Sequence, residues 1–202
     1  MRALIITPYI DGSLKNIIAG KRFDLVLCAD ASLDIAKSAG LTPDVVIGDF
    51  DHGTKPDFEK IIEVPCEKDD TDTMLCIKRA ISLGADDIFI AGGIGGRLDH
   101  TVANIQSLVY AKNRGVRAVI ADEKNEAFIV PGSARICRRD GWYLSLFSLG
   151  GECIVNVHGV KYPLDGGILS DGFPLGVSNE ITDDHAGIEV RSGTLLAIMS
   201  KK

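Results

Sequence analysis

The feature that most limits the possible folds is a change of period along the chain. From residue 1 to 121, short apolar runs alternate with amphipathic stretches. The runs 3–6, 25–28, 45–47, 61–64, 88–91 and 116–121 are rich in Ile, Val, Leu and Ala, which suits strands buried on both faces. Helical patterns fall between several of them, at 32–39, 72–83 and 99–114. In the second helix Leu75, Ile77, Ala80 and Ile81 lie near one face, and in the third Val102, Ile105, Leu108 and Val109 do so. Gly40, Gly84 and Gly115 follow these helices, where a left-handed cap is wanted. Strand and helix in alternation predict an α/β fold, a mostly parallel sheet with helices on both faces.

After Val130-Pro131-Gly132 the helical period disappears. Short β-type runs at 134–137, 142–149, 153–157, 187–190 and 195–199 are separated by Gly150-Gly151, Gly166-Gly167 and Ser192-Gly193. That pattern predicts an all-β sandwich or barrel. The chain is therefore expected to divide into an α/β domain, 1–130, and a β-rich domain, 131–202.

The charge balance narrows the partners. Acidic residues number 28 against 22 basic, a formal charge of −6, and the longest basic cluster is Arg138-Arg139. A protein that grips nucleic acid by its phosphates shows a basic face, so none is expected here. A polyphosphate remains possible if metal ions supply positive charge. The five cysteines, at 28, 66, 76, 137 and 153, are odd in number and lack C-x-x-C spacing. This argues against a zinc ribbon and a disulfide framework. Cys28 and Cys76 lie in apolar runs and are expected in the core. The apolar run at the N-terminus is too short for a signal peptide, and no run is long enough to cross a bilayer. The expected compartment is the reducing cytoplasm, with no membrane partner.

Chemistry gathers at the ends of the predicted strands. Val45-Val46-Ile47 stops at Gly48, followed by Asp49-Phe50-Asp51. In extended chain, residues i and i+2 share a side, so Asp49 and Asp51 are expected to face one point. Two such carboxylates repel unless a cation sits between them, and a hard divalent ion is the natural candidate. Gly48 is expected to let the chain leave the strand in a conformation a side chain would forbid. Asp30 ends the second strand, and Lys68-Asp69-Asp70-Thr71-Asp72 precedes a helix. Gly92-Gly93-Ile94-Gly95-Gly96-Arg97-Leu98-Asp99-His100 joins a strand to a helix. Ligands of open α/β sheets bind outside the carboxyl ends of the strands, so all four segments are expected on one edge.

Each segment also has a local explanation. Thr71 or Asp72 can cap a helix, Asp99 can do the same, and Asp30 can be a turn residue. Arg97 and Asp99 can form an ordinary surface pair, which contributes little. The glycine loop brings backbone N–H groups toward an anion at a helix N-terminus. It lacks the Lys-Ser/Thr of a P-loop, and Leu98 stands where a dinucleotide fingerprint needs its third glycine. An Arg beside an Asp suits gripping phosphate while the carboxylate holds metal. His100 shares a helix face with Asn104, and either can touch a ligand or cap the loop.

Taken together the motifs resemble those of the thiamine pyrophosphokinase family. They are Pro43-Asp44, Gly48-Asp49-Phe50-Asp51, Lys68-Asp69-Asp70-Thr71-Asp72, the loop 92–100 with Asn104, Lys161-Tyr162-Pro163-Leu164 and Ser178-Asn179-Glu180. The resemblance spans nearly the whole chain in order. It implies an enzyme that moves the terminal diphosphate of ATP to the hydroxyl of thiamine and releases AMP. It further implies a homodimer with sites at the subunit interface, an ATP- and Mg²⁺-binding first domain, and a thiamine-binding second domain. By carry-over, Asp49, Asp51, Asp72 and Asp99 surround Mg²⁺ and the phosphates, and Arg97 contacts the transferring group. Lys68, Gly92, Gly93, Gly95, Gly96, His100 and Asn104 bind the nucleotide, while Ser178 and Asn179 hold thiamine. The family often has small residues after the aspartate of the second strand and an acid two residues after Thr-Asp. Here stand Ala31-Ser32-Leu33 and Met74, which leaves Asp30 without an assigned role.

Two rivals are another Mg²⁺-dependent transferase, such as a nucleotidyltransferase, and a non-catalytic nucleotide or vitamin sensor. The first releases pyrophosphate in place of AMP; the second binds without turnover. Asp51→Asn is expected to abolish turnover in a protein that still folds, and near-normal activity in that variant would reject the metal-site reading.

Overall fold

The structure is a computed structural model that describes residues 1–50, 58–65, 67 and 69–202. It divides into two units, Met1–Glu123 and Lys124–Lys202.

In the first unit, strands β1 (Arg2–Ile6), β2 (Leu25–Ala29), β3 (Val45–Gly48), β4 (Ile61–Glu63), β5 (Asp87–Ala91) and β6 (Arg117–Ala121) run parallel in the order β6-β5-β1-β2-β3-β4. Leu4, Ile5, Ile6, Leu27, Ile88 and Ile90 are fully buried, neighbours in sequence included, so both faces of the central strands are covered. The helices are α1 (Leu14–Ile17), α2 (Leu33–Ser38), α3 (Asp72–Ser82) and α4 (Leu98–Lys112). The right-handed rule for βαβ crossovers assigns α1 and α2 to one face, α3 and α4 to the other. α3 lies across β1, β2 and β3, and beside α4. Cys28 and Cys76 are both fully buried, as the sequence predicts. Burial pushes the Cys28 thiol up to about 11, which leaves it an inert packing group.

The strand order reverses between β1 and β5: the chain builds outward through β2, β3 and β4, then returns to the other side of β1. Loops leaving neighbouring strands in opposite directions open a crevice at their carboxyl ends. The loops after β1 and β5 therefore frame the natural ligand site of this sheet.

The second unit is antiparallel throughout its described pairings. Strands β7 (Asn125–Ile129), β8 (Ser133–Cys137), β9 (Trp142–Ser148), β10 (Cys153–His158), β11 (Leu164–Leu169), β12 (Gly176–Asn179), β13 (His185–Ser192) and β14 (Leu195–Lys201) form the series β12-β9-β14-β7 and β11-β10-β13-β8. Alternate residues of both series, including Leu144, Leu146, Val155, Val157, Ala186, Ile188, Leu195, Ala197 and Met199, share one core. This is a sandwich. Trp142 packs partly buried against that core, with the Arg139 guanidinium 5.3 Å from its ring centre.

Three expectations are corrected. The division falls after Glu123, not near residue 131, because β7 pairs with β14 from Ile129↔Leu196 to Asn125↔Ser200. Gly166-Gly167 lies inside β11 and is not a turn; Gly167 pairs with Val155. The turn of helix α1 and strand β12 have no counterpart among the predicted elements. Among the described residues, no helix is long and apolar enough to cross a membrane.

Helix α3 starts where it does because Thr71 caps it: its Oγ1 accepts from the Met74 amide at 3.1 Å. Thr71→Ala is expected to lower unfolding free energy by about 1 kcal/mol, measured by urea denaturation.

Candidate active site

The sheet register decides which acids meet. Ala29 of β2 pairs with Ile47 of β3, so Asp30 emerges level with Gly48, one residue before Asp49. A Cβ on Gly48 would stand 2.7 Å from the Cα of Asp30. Gly48 does not have the left-handed backbone expected of it; its role is to let the Asp30 backbone cross closely. The left-handed conformation belongs instead to Phe50, at φ 53, and to Asp30, at φ 47. Asp44 sets this register from the other end, since its Oδ2 accepts from the Val26 amide at 2.9 Å. Asp30 opens a 3-10 turn, Asp30–Ser32, and the buried Ser32 hydroxyl donates to the Ile6 carbonyl at 2.9 Å, pinning that turn to β1.

With Thr71 supplying the cap, the Asp72 side chain joins the strand ends. Carboxylate oxygens of Asp30, Asp49 and Asp72 lie within 4.8 Å of one another, each side chain partly buried. All three belong to segments expected on this edge; Asp49 and Asp72 were expected at the metal, whereas Asp30 had no assigned role. Its place at the end of the strand beside β3 puts it on that edge, and the register brings it level with Gly48. The expected pairing of Asp49 with Asp51 cannot be followed, since Asp51 lies outside the described residues, as does Lys68. Asp70, next to the helix cap, is bound by Lys78 Nζ at 2.6 Å.

Asp99 is not one of this group. It sits in the first turn of α4, where Arg97 grips it as a fork: Nε to Oδ1 at 3.1 Å and Nη2 to Oδ2 at 2.6 Å. Its Oδ1 also accepts from the His100 amide at 2.9 Å. The pair is exposed, and the Arg97 hydrogen bonds hold the Asp99 carboxyl down at about 2. His100 is exposed on α4, while Asn104 is buried and donates from Nδ2 to the Gly93 carbonyl at 2.9 Å.

The glycine loop works differently from its expected form. The amides of Gly92, Gly93 and Gly95 donate to Ala121 O, Tyr9 O and Thr101 Oγ1 at 2.8, 2.8 and 3.0 Å. Those three amides hold the loop's own shape. All four glycines have φ between 62 and 86, and a Cβ on Gly92 would run into the Tyr9 carbonyl. The glycines thus build a tight left-handed turn that brings Arg97 and Asp99 to the sheet edge.

In the second unit, Asn179 is a structural tie. Its Oδ1 accepts from the amides of Tyr162 and Glu180 at 3.0 and 2.9 Å, and its Nδ2 donates to the Tyr162 carbonyl at 2.8 Å. Glu180 in turn accepts from Lys161 and Lys202. The motifs Lys161-Tyr162 and Ser178-Asn179-Glu180 are therefore one assembly. Ser178 is exposed, with a left-handed backbone at φ 59 and its amide bonded to Ser145 Oγ at 3.0 Å. A non-glycine residue in that conformation is strained, and such strain collects at functional sites.

Comparison with known proteins identifies the family of both units. The family model described as thiamin pyrophosphokinase, catalytic domain, matches residues 19–120, and that described as thiamin pyrophosphokinase, vitamin B1 binding domain, matches 133–195. The thiamine pyrophosphokinase of Bacillus subtilis is 28% identical over 172 residues, 80% of each chain. Thiamin pyrophosphokinase 1 of Caenorhabditis elegans is 25% identical over 170 residues, 77% of this chain and 70% of that one. The crystal structure of the Bacillus subtilis enzyme matches with a TM-score of 0.87 at 26% identity, covering 100% of both chains.

The Arg97–Asp99 fork is testable by titration. A depressed carboxyl favours the ionised form, so the pair persists on acidification until pH falls through about 2. Arg97→Gln is expected to move the Asp99 midpoint up toward the ordinary 3.8, followed by NMR of the carboxyl carbon.

Proposed function

The chain belongs to the thiamine pyrophosphokinase family, and from that membership we infer how its residues divide the work of the reaction. It is an ATP-dependent diphosphotransferase that moves the terminal diphosphate of ATP to the hydroxyl of thiamine, releasing AMP. The observation that carries the assignment of roles is the convergence of Asp30, Asp49 and Asp72 at the sheet edge.

A cluster of carboxylate oxygens is a hard donor set that fits Mg²⁺. When bound there, Mg²⁺ would neutralise phosphate oxygens and the three acids together. Asp51, adjacent in the chain, is assigned to the same group on its place in the motif. Arg97 spends Nε and one N–H of Nη2 on Asp99, and its remaining donors serve the transferring phosphates. Asp99 acts by fixing that guanidinium. Phosphoryl-type transfer passes through a loose transition state, so positioning and charge neutralisation supply most of the catalysis. Lys68 and the loop 92–100 with His100 hold the polyphosphate, and Asn104 keeps the loop in shape through the Gly93 carbonyl. Ser178 meets thiamine, while Asn179 shapes the segment that presents it.

Two finer features follow from the family resemblance. We assign the chain a homodimeric state, supported by exposed apolar side chains such as Leu98, Val102, Phe173 and Leu175. The free thiols of Cys28, Cys76, Cys137 and Cys153 suit a reducing cytoplasm.

With thiamine, ATP and Mg²⁺, the chain is expected to form AMP and thiamine diphosphate in equal amounts, and none without Mg²⁺. Asp30→Asn and Asp72→Asn are each expected to lower turnover by more than about a hundredfold, beyond the usual effect of an outer-shell change, with unaltered circular dichroism. Release of free pyrophosphate would point to nucleotidyl transfer; full activity in both variants would overturn the carboxylate assignment.

A further inference from the structure

Tyr9 occupies the crevice where the strand order reverses, on the loop leaving β1 beside the loop leaving β5. Its backbone is locked to the glycine turn. Its carbonyl accepts from the Gly93 amide at 2.8 Å and lies 3.0 Å from the buried Thr7 hydroxyl, which stands equally close to the Ala91 carbonyl. The ring lies against the turn itself: a Cβ on Gly96 would sit 3.0 Å from ring carbons, and one on Gly95 3.3 Å. Glycine at these positions makes room for an aromatic ring. Yet Tyr9 remains 46% exposed, so the ring is backed by backbone on one side and open to solvent elsewhere. An aromatic ring held this exposed forgoes part of the burial its size offers.

We propose that the Tyr9 ring is the platform on which the adenine of ATP stacks. The inference rests on the reading of the loop 92–100 as the polyphosphate site. Flat heteroaromatic rings come from both substrates: adenine from ATP, and a pyrimidine and a thiazolium from thiamine. Adenine is favoured because Tyr9 is built into the glycine turn of the first unit, whereas the similarity to vitamin B1-binding domains lies in residues 133–195. A base stacked on a ring that is itself seated on the phosphate turn would be placed at a fixed reach from the phosphates. The ring thus selects a nucleotide over a bare polyphosphate.

Tyr9→Leu and Tyr9→Phe, each checked by thermal melting, separate the possibilities. The affinity for AMP is measured by calorimetry, the KM for ATP and for thiamine by AMP release, and inorganic tripolyphosphate serves as a competitor that carries no base. In Tyr9→Leu the AMP affinity and the ATP KM are expected to weaken about tenfold, the scale of one lost base–aromatic stack. Inhibition by tripolyphosphate and the thiamine KM should hold, and Tyr9→Phe should restore most of the nucleotide affinity. Parallel weakening of AMP and tripolyphosphate would mean that the side chain only shapes the turn, and would overturn the proposal. So would a rise in the thiamine KM alone. Failure of tripolyphosphate to compete with ATP in the unaltered protein would instead overturn the phosphate reading of the loop.

Discussion

Carboxylates whose oxygens approach within 4.8 Å repel one another, and the first unit is built to hold Asp30, Asp49 and Asp72 against that force. The restraint comes from ordinary strand pairing. Asp44 fixes the register of β2 and β3 at one end, and at the other Gly48 gives up its side chain so that Asp30 can cross. Thr71 takes over the capping of α3, which turns Asp72 from a helix-terminal residue into a member of the group. The repulsion left over after this assembly is what a small cation would relieve.

The same edge is shaped a second time around the glycine turn. There the backbone donors of Gly92, Gly93 and Gly95 serve the turn, which leaves the Arg97 guanidinium as the charge at its end. Asp99 orients that arginine by a two-point grip. The edge therefore carries two charge arrangements: a group of three acids, and a guanidinium held by a further acid.

Much of this was legible from periodicity. The parallel strands and α3 and α4 announced themselves through apolar runs and helical spacing, since burial on two faces leaves little room for other residues. β7 was not legible because Asn125 and Glu126 break the apolar run, and the neighbouring Pro131-Gly132 looked like the stronger boundary. β11 was hidden by two adjacent glycines, which sequence alone reads as a turn. At the site, the sheet edge gathered the segments of Asp30, Asp49 and Asp72 in advance, whereas bringing Asp30 level with Gly48 needed the register of Ala29 with Ile47. The glycine loop was recognisable as special, but which amides were already spoken for depends on partners such as Tyr9, Ala121 and Thr101, far away or unremarked in the sequence.

The tie made by Asn179 carries a lesson for grafting. One side-chain amide joins segments 17 positions apart by gripping both backbone groups of Tyr162. Neither segment keeps its shape alone. Any transplant of this assembly onto another sandwich must move the pair as a single cassette, and chimeras cut between them would lose the side chain that ties one segment to the other.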